Sequence, residues 1–298
     1  MFESIEEMFN YAKEIKKPLH EAIILREIEF NEVSKEYVLE RLNKSLEVMR
    51  QSLKKSIEID VVLPIAEAME QSQRLLSKPY FLSEDLKESI YWGMSIAEYN
   101  SGMGIICAAP TAGSCGVFPA VLFKAQKMLK KSDQSILNAF IVGAAIGVIC
   151  GNRASISGSE AGCQAEIGVA SAMAASAITY LYIEDIDINY SDRIGKKISN
   201  SVSLALKNLL GLVCDPVAGL VISPCIKRNA IGVMNAFLAA ELALSGVESI
   251  IPADEVIDAM YQIGKKMPSE LKETGLGGIA KTPTAKKIAQ TLLKNNIF

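Results

Sequence analysis

Four segments of this chain interrupt good helix-forming sequence with residues that can do chemistry. Each contains glycine or proline, which allow backbone angles that a regular helix does not use. Each also carries hydroxyl, amide or charged side chains that a loop with only a packing role would not need. The four segments are CAAPTAGSCG (107–116), NRASISGSEAGCQAE (152–166), CDPVAGLVISPCIKRNA (214–230) and ETGLGGIAKTPT (273–284).

The hydroxyl groups of the first two segments suit the binding of a carboxylate. Loops that lead into helix N-termini attract anions, because free backbone N–H groups and the helix dipole converge there. Hydroxyl groups beside such a terminus can donate further hydrogen bonds to the anion. The candidate donors are Thr111, Ser114, Ser155, Ser157 and Ser159.

The cysteines are the second chemical feature. Thiolates near helix N-termini have a lowered pKa and ligate iron or zinc. The closely spaced cysteine pairs of ferredoxins and zinc ribbons are absent, so any ligands must converge through the fold. Spacing alone favours the alternative, which is burial as structural thiols. The six cysteines are Cys107, Cys115, Cys150, Cys163, Cys214 and Cys225.

The single histidine restricts the chemistry further. Zinc catalysis and nucleophilic catalysis by serine or cysteine nearly always need a histidine near the metal or the nucleophile. His20 lies in a charged N-terminal helical stretch, where we expect a surface or capping residue.

Helices must position these segments. Hydrophobic residues make up 50% of the chain and aromatic residues only 6%, a mix typical of closely packed helices. No segment alternates between apolar and polar residues as a strand does, so the sequence predicts an all-α fold. We expect a multi-helix domain of Ala-rich buried helices with Gly/Ser/Cys loops between them. The predicted helices cover residues 117–131, 134–150, 163–183, 193–210, 229–246, 253–266 and 284–294.

The composition divides the chain into a charged helical region, residues 1–90, and a region with few charges, residues 91–298, that holds the four segments. We expect the two regions to form one continuous domain. In the first, Ser34 is the predicted N-cap of a helix with Val38, Leu42, Leu46 and Met49 at helical spacing. In the second, an acidic stretch at 183–187 is predicted to be a solvated link between two helices.

Charge and hydropathy exclude several classes of protein. A net charge of −3 gives no sign of a nucleic-acid partner. The N-terminus lacks the basic start and apolar block of a signal peptide. The longest nearly uncharged run, residues 136–151, is shorter than the roughly 18 residues of a membrane span. We therefore expect a cytoplasmic protein with no membrane segment and no disulfide framework.

The four segments resemble, in the same order, the signature blocks of the alpha domain of iron–sulfur-dependent L-serine dehydratases. The resemblance covers residues 94–284, and the phrase NKSLEVMRQSL resembles the start of the alpha chain in two-subunit members. It implies deamination of L-serine to pyruvate and ammonia. It also implies an oxygen-sensitive [4Fe–4S] cluster instead of pyridoxal phosphate. Family ligands map onto Cys163, Cys214 and Cys225, and the cluster acts as a Lewis acid on the substrate hydroxyl.

The resemblance also implies a place for the substrate. Its carboxylate would lie among the loop N–H groups and hydroxyls, with Arg153, Arg228 or Lys281 as counter-charge. Arg153 and Arg228 have an equally weighted alternative as helix-terminal ion-pair residues. Cys115 is expected in the substrate pocket, and Cys107 and Cys150 in the core.

This sequence departs from the family pattern in four ways. It has no counterpart of the beta domain, whose Ser-His-Thr motif suits a catalytic base, so we expect a separate beta subunit and possible pairing of two heterodimers. It has no C-terminal cysteine, which in some fused members caps the cluster. It has no glycine in residues 55–64, where a Ser/Gly-rich stretch is usual, and it has an apparent insertion around 180–197.

Three alternatives remain open at this point. The cluster could act on another β-hydroxy or β-thiol amino acid, which the missing Ser/Gly-rich stretch favours. The chain could be a catalytically inactive, cluster-binding subunit, which the lone histidine and the missing Ser/Gly-rich stretch favour. Lys281 beside Gly277 and Gly278 could instead hold pyridoxal phosphate, although the sequence has no strand pattern for the α/β folds of such enzymes.

Overall fold

The computed structural model describes residues 1–65, 68–69, 71–78, 80–184 and 192–295. Within these residues the chain forms α-helices, short 3-10 turns and one isolated β-bridge but no strand, which confirms the all-α prediction. The helices are α1 (Ile5–Glu14), α2 (Leu19–Asn31), α3 (Lys35–Glu58), α4 (Glu84–Ser101), α5 (Val117–Leu129), α6 (Asp133–Arg153), α7 (Gly158–Ala161), α8 (Val169–Ile183), α9 (Asp192–Lys207), α10 (Cys225–Leu244), α11 (Ala253–Lys266) and α12 (Pro283–Lys294).

The helix α8 lies at the centre of the fold. Nearly all of its side chains are buried, and it packs against α5, α6, α9 and α10. Small residues let these helices approach closely. A Cβ atom added to Gly143 of α6 would lie 2.8 Å from the carbonyl oxygen of Met173 in α8. The alanine-rich composition of the second region therefore corresponds to close helix packing.

Two helical stretches, Asp133–Arg153 and Gln164–Ile183, are long and apolar enough to cross a membrane when judged by length and composition. Their most apolar windows are 67% and 94% buried inside the protein. Both therefore have the burial of core helices.

The charged N-terminal region forms α1, α2 and α3. The Ser34 hydroxyl accepts a hydrogen bond from the Tyr37 N–H at 3.1 Å, which confirms the predicted N-cap of α3. The buried side of α3 includes Val38, Leu46 and Met49. The division of the chain at residue 90 stays a prediction, and it falls inside α4, which packs against α3, α5 and α10.

His20 is half-buried between α2 and α8, and not a surface or capping residue as the sequence suggested. Its Nδ1 atom lies 2.7 Å from the Tyr180 hydroxyl. Burial lowers the pKa of His20 and raises the pKa of Tyr180. The lone histidine thus contributes to the packing of two helices.

The seven helices predicted after residue 91 all form, with two informative differences. The helix α10 begins at Cys225, earlier than expected. Residues Gln164–Gly168 form a π-helical turn before α8 instead of part of a regular helix. The predicted link at 183–187 and the insertion around 180–197 lie partly outside the described residues.

Candidate metal centre

Two cysteines and a glutamate meet in the interior. The sulfur atoms of Cys163 and Cys214 and a carboxylate oxygen of Glu166 all lie within 4.8 Å of one another, and all three residues are buried. Both thiols are within reach of Glu166 Oε2, at 3.7 Å from Cys163 and 3.6 Å from Cys214. This is a donor set that can hold a metal ion.

The π-helical turn places Cys163 and Glu166 on the same side of the chain. The short helix α7 ends at Gly162, whose φ of +78° is readily adopted only by glycine. A Cβ atom there would also lie 2.8 Å from the Leu212 carbonyl oxygen. The Gln164 amide then fixes the turn, because it accepts from Gly211 N at 2.9 Å and donates to Met260 O at 3.0 Å. Single π turns inside helices often mark functional sites.

The backbone of Cys214 is paired with the fourth segment. Cys214 N donates to Leu271 O at 2.8 Å, and Glu273 N donates to Cys214 O at 2.7 Å. These two bonds form the isolated parallel bridge between Cys214 and Lys272. The position of one sulfur donor therefore depends on a segment far along the chain.

Cys225 is the first residue of α10 and is buried, but its sulfur is not among the donor atoms that all lie within 4.8 Å of one another. Burial first, and then the charges of Cys163 and Glu166, raise the pKa of the Cys225 thiol to about 12. The pKa of the Cys214 thiol is also raised, by its hydrogen bond with Cys163, by burial and by the neighbouring acidic groups. These thiols lie close enough to oppose each other's ionisation, which a bound cation would reverse.

Arg228 lies beside the sulfur atoms and is held by several acceptors. Its guanidinium group donates to Cys163 Sγ at 3.3 Å, to Val213 O at 2.7 Å and to Asp215 Oδ1 at 2.7 Å. The other oxygen of Asp215 accepts from Ile279 N at 2.7 Å. The ion pair lies within the third segment, and the bond from Ile279 to Asp215 joins it to the fourth.

The first segment closes the group from another side. The Thr111 hydroxyl donates to Glu166 Oε1 at 2.6 Å. Asn229, which is buried, donates to Gly113 O at 2.9 Å and to Cys225 O at 3.0 Å. Its side-chain oxygen accepts from Gly116 N at 3.0 Å. The first and third segments are thereby held together.

The second segment passes close to Glu166. A Cβ atom on Gly158 would lie 2.5 Å from Glu166 Oε2 and 3.0 Å from Cys214 Sγ. Just before it, the Ser155 hydroxyl donates to Glu160 at 2.6 Å and accepts from Ser157 N at 3.0 Å. All four segments therefore converge, although they are spread over more than half of the chain.

Comparison with known proteins shows which family the chain is similar to. A family profile described as "Serine dehydratase alpha chain" matches residues 5–280. The chain belongs to this family. It is 39% identical over 300 residues to the probable L-serine dehydratase alpha chain of Bacillus subtilis, covering 98% of this chain and 95% of that one.

Two further relatives differ in length. The L-serine dehydratase alpha chain of Peptoniphilus asaccharolyticus is 36% identical over 298 residues, with 99% of each chain covered. L-serine dehydratase 1 of Escherichia coli is 32% identical over 289 residues, which cover 94% of this chain but only 61% of that protein.

Not every candidate substrate residue faces the group. Arg153 binds both carboxylate oxygens of Asp258, at 2.6 and 2.8 Å, which matches its alternative as an ion-pair residue. Lys281 is exposed on a short 3-10 turn before α12. Ser157 pairs with the Ser159 hydroxyl at 2.7 Å.

The remaining candidates lie in or near the core. Ser114 is fully buried and donates to the Ala109 carbonyl at 3.3 Å. Cys115 and Cys150 are fully buried, which raises the pKa of each thiol to about 12. Cys107 is half-buried against the core.

Three residues of the site were not singled out from the sequence: Glu166, Asp215 and Asn229. Glu166 did carry a signal, because it is the single charged residue of residues 161–183. A charge in a stretch that must be buried needs a partner or a ligand. Asp215 carried the same signal, because it is the single charged residue of residues 208–226, whereas Asn229 carried none, since it directly follows Lys227 and Arg228.

Proposed function

We propose that this chain is the alpha subunit of an L-serine dehydratase, which deaminates L-serine to pyruvate and ammonia. Two observations support the proposal. The family profile spans most of the chain, and relatives that match over nearly their full length are named for this activity.

We further propose that Cys163, Cys214 and Cys225 hold a [4Fe–4S] cluster, with no pyridoxal phosphate. The observation that carries this proposal is the burial of the three thiols together, beside a glutamate and an arginine. The residues fit such a group, because thiolate is the ligand of iron–sulfur clusters and Gly158 brings no side chain into the contact between Glu166 and Cys214. When bound, the cluster would supply Lewis-acid activation of the substrate hydroxyl.

The chain's own polar residues would bind and orient the substrate. We propose that the carboxylate lies beside the Ser157 hydroxyl, with the amino-acid side chain facing the cysteines, because the Thr111 hydroxyl is already used by Glu166. Arg228 would act as a positioning residue, because its guanidinium group is already bound to Asp215. Lys281 is exposed and stays a candidate counter-charge for the substrate carboxylate.

We propose that a separate beta subunit completes the enzyme and supplies the catalytic base. The alpha-chain names of the relatives support a partner chain. The Escherichia coli relative also supports a partner chain. The match covers 61% of that protein, so the remaining 39% has no counterpart in the match. The complete enzyme would be a cytoplasmic heterodimer, able to pair further, and would bind neither nucleic acid nor membrane.

The decisive experiment measures both the metal content and the activity of the chain. The chain is purified without oxygen, its iron and acid-labile sulfide are counted, and pyruvate formation is measured with and without the beta subunit. We expect about four iron and four sulfide per chain, and turnover of L-serine with the partner only. Faster turnover of threonine or cysteine than of serine would reject serine as the substrate. No turnover with the partner present would reject the enzymatic role.

A further inference from the structure

The carboxylate of Glu166 has a fixed orientation within the buried group. One oxygen, Oε1, accepts the Thr111 hydroxyl at 2.6 Å. The other, Oε2, points between the sulfur atoms of Cys163 and Cys214, at 3.7 and 3.6 Å. Oε1 thus accepts from a hydroxyl, and Oε2 accepts from the two thiols that are candidate metal donors.

The backbones of two glycines approach this carboxylate closely. A Cβ atom on Gly158 would lie 2.5 Å from Oε2, and one on Gly113 would lie 3.1 Å from Oε1. The two glycines come from different segments and approach the carboxylate from different sides. A glutamate with only a packing role would not need both neighbours to be without side chains.

The number of cysteines near the site also indicates that Glu166 is a ligand. A [4Fe–4S] cluster usually has four anionic ligands, and three cysteines leave one position without a thiolate. Among the described residues, Cys115 and Cys150 are fully buried elsewhere in the core, and Cys107 is only half-buried. Glu166 is the acidic group whose oxygen lies within 4.8 Å of two of the sulfur donors.

We propose that Glu166 is the fourth protein ligand of the metal centre and that Thr111 is the positioning residue that orients it. This inference rests on the proposed function. A carboxylate ligates iron less strongly than a thiolate, since iron–sulfur clusters select soft sulfur ligands. Glu166 would therefore hold the fourth position at rest and leave it exchangeable for a substrate.

The test measures how fast iron leaves the centre. The full chain is reconstituted without oxygen, and iron release to a coloured ferrous chelator is followed, together with the electron paramagnetic resonance signal of the three-iron form. The variants are Glu166→Gln, which keeps the shape but is a poor ligand, and Thr111→Val. The matched control is Glu98→Gln. Glu98 is equally buried and accepts from the backbone and hydroxyl of Ser72, away from the cysteines.

We expect Glu166→Gln to release one of its four irons at a rate at least about 10-fold higher than the wild type. In Thr111→Val the rate of release should increase less. Release from Glu98→Gln should equal that of the wild type. Equal release from Glu166→Gln and the wild type would overturn the inference and leave the cluster proposal intact. If Glu166→Gln does not fold, as judged by circular dichroism, equal release from Thr111→Val and the wild type would overturn it.

The outcome for the wild type separates this inference from the proposed function. A single metal ion without sulfide, lost in Glu166→Gln, would reject the cluster and support Glu166 as a ligand. No iron at all after reconstitution would reject both.

Discussion

The buried ion pair between Arg228 and Asp215 offers a sharp test of how the metal centre is held. The two side chains are only 13% and 3% exposed. Asp215 uses both oxygens, one for Arg228 and one for the Ile279 N–H. In Asp215→Asn the shape stays the same, but the negative charge is lost and only one acceptor oxygen remains. Either the guanidinium group or the N–H is then left without its acceptor.

The expected cost is large because the remaining charge is buried. Removing one partner of a buried ion pair costs about 3–5 kcal/mol. For a chain of this size, that corresponds to a fall in the melting temperature of about 5–8 °C. We would measure it by urea and thermal unfolding of the full chain, followed by circular dichroism. The matched control is Asp258→Asn in the Arg153 pair, whose side chains are 30% and 49% exposed. The free energy of unfolding of Asp258→Asn should fall by less than about 1 kcal/mol.

The same substitution in an Arg228→Met variant tests whether the ion pair causes the loss of stability. In Arg228→Met, replacement of Asp215 by asparagine leaves no uncompensated charge and should cost much less than it does in the wild type. Equal losses in the two backgrounds, or equal losses for Asp215→Asn and Asp258→Asn, would show that the pair does not carry the stability we assign to it.

Three further predictions concern other parts of the molecule. Gly158→Ala would place a methyl group 2.5 Å from Glu166 Oε2. The free energy of unfolding should therefore fall by about 1–3 kcal/mol, and the iron content should fall too. An unchanged iron content would contradict the close contact. The pKa of His20 is lowered by burial, so stability should decline as pH falls below about 6.5, where the unfolded chain takes up the proton first. The decline should be smaller in His20→Gln, and equal slopes would refute this. Cys214→Ser should lose the iron while Cys107→Ser keeps it, as metal analysis would show; equal iron in both would refute the ligand assignment.

Much of the fold was predictable because it depends on local patterns. The predicted N-cap at Ser34 forms as expected, and the Ala-rich stretches form the buried helices. The π turn at Gln164–Gly168 was not predictable, since it is fixed by contacts with Gly211 and Met260 from distant parts of the chain.

The sequence predicted which segments form the candidate site, but not which charged residue of those segments takes part in it. Arg153 and Arg228 both lie in a polar segment near a helix end, and the sequence left both as possible counter-charges. Their difference comes from partners contributed by other elements. Asp258 of α11 binds Arg153 at the surface, whereas Asp215 binds Arg228 in the interior. Such pairings depend on which helices pack together, and a single sequence does not reveal that.

The bridge between Cys214 and the segment around Lys272 has a consequence for the order of events during protein synthesis. A nascent chain that has not yet reached Leu271 lacks the acceptor for the Cys214 N–H, and one that has not reached Ile279 lacks a donor to Asp215. Until then the thiols have no fixed arrangement and are open to oxidation. We therefore expect any metal held by Cys163 and Cys214 to be loaded only after the fourth segment has emerged from the ribosome.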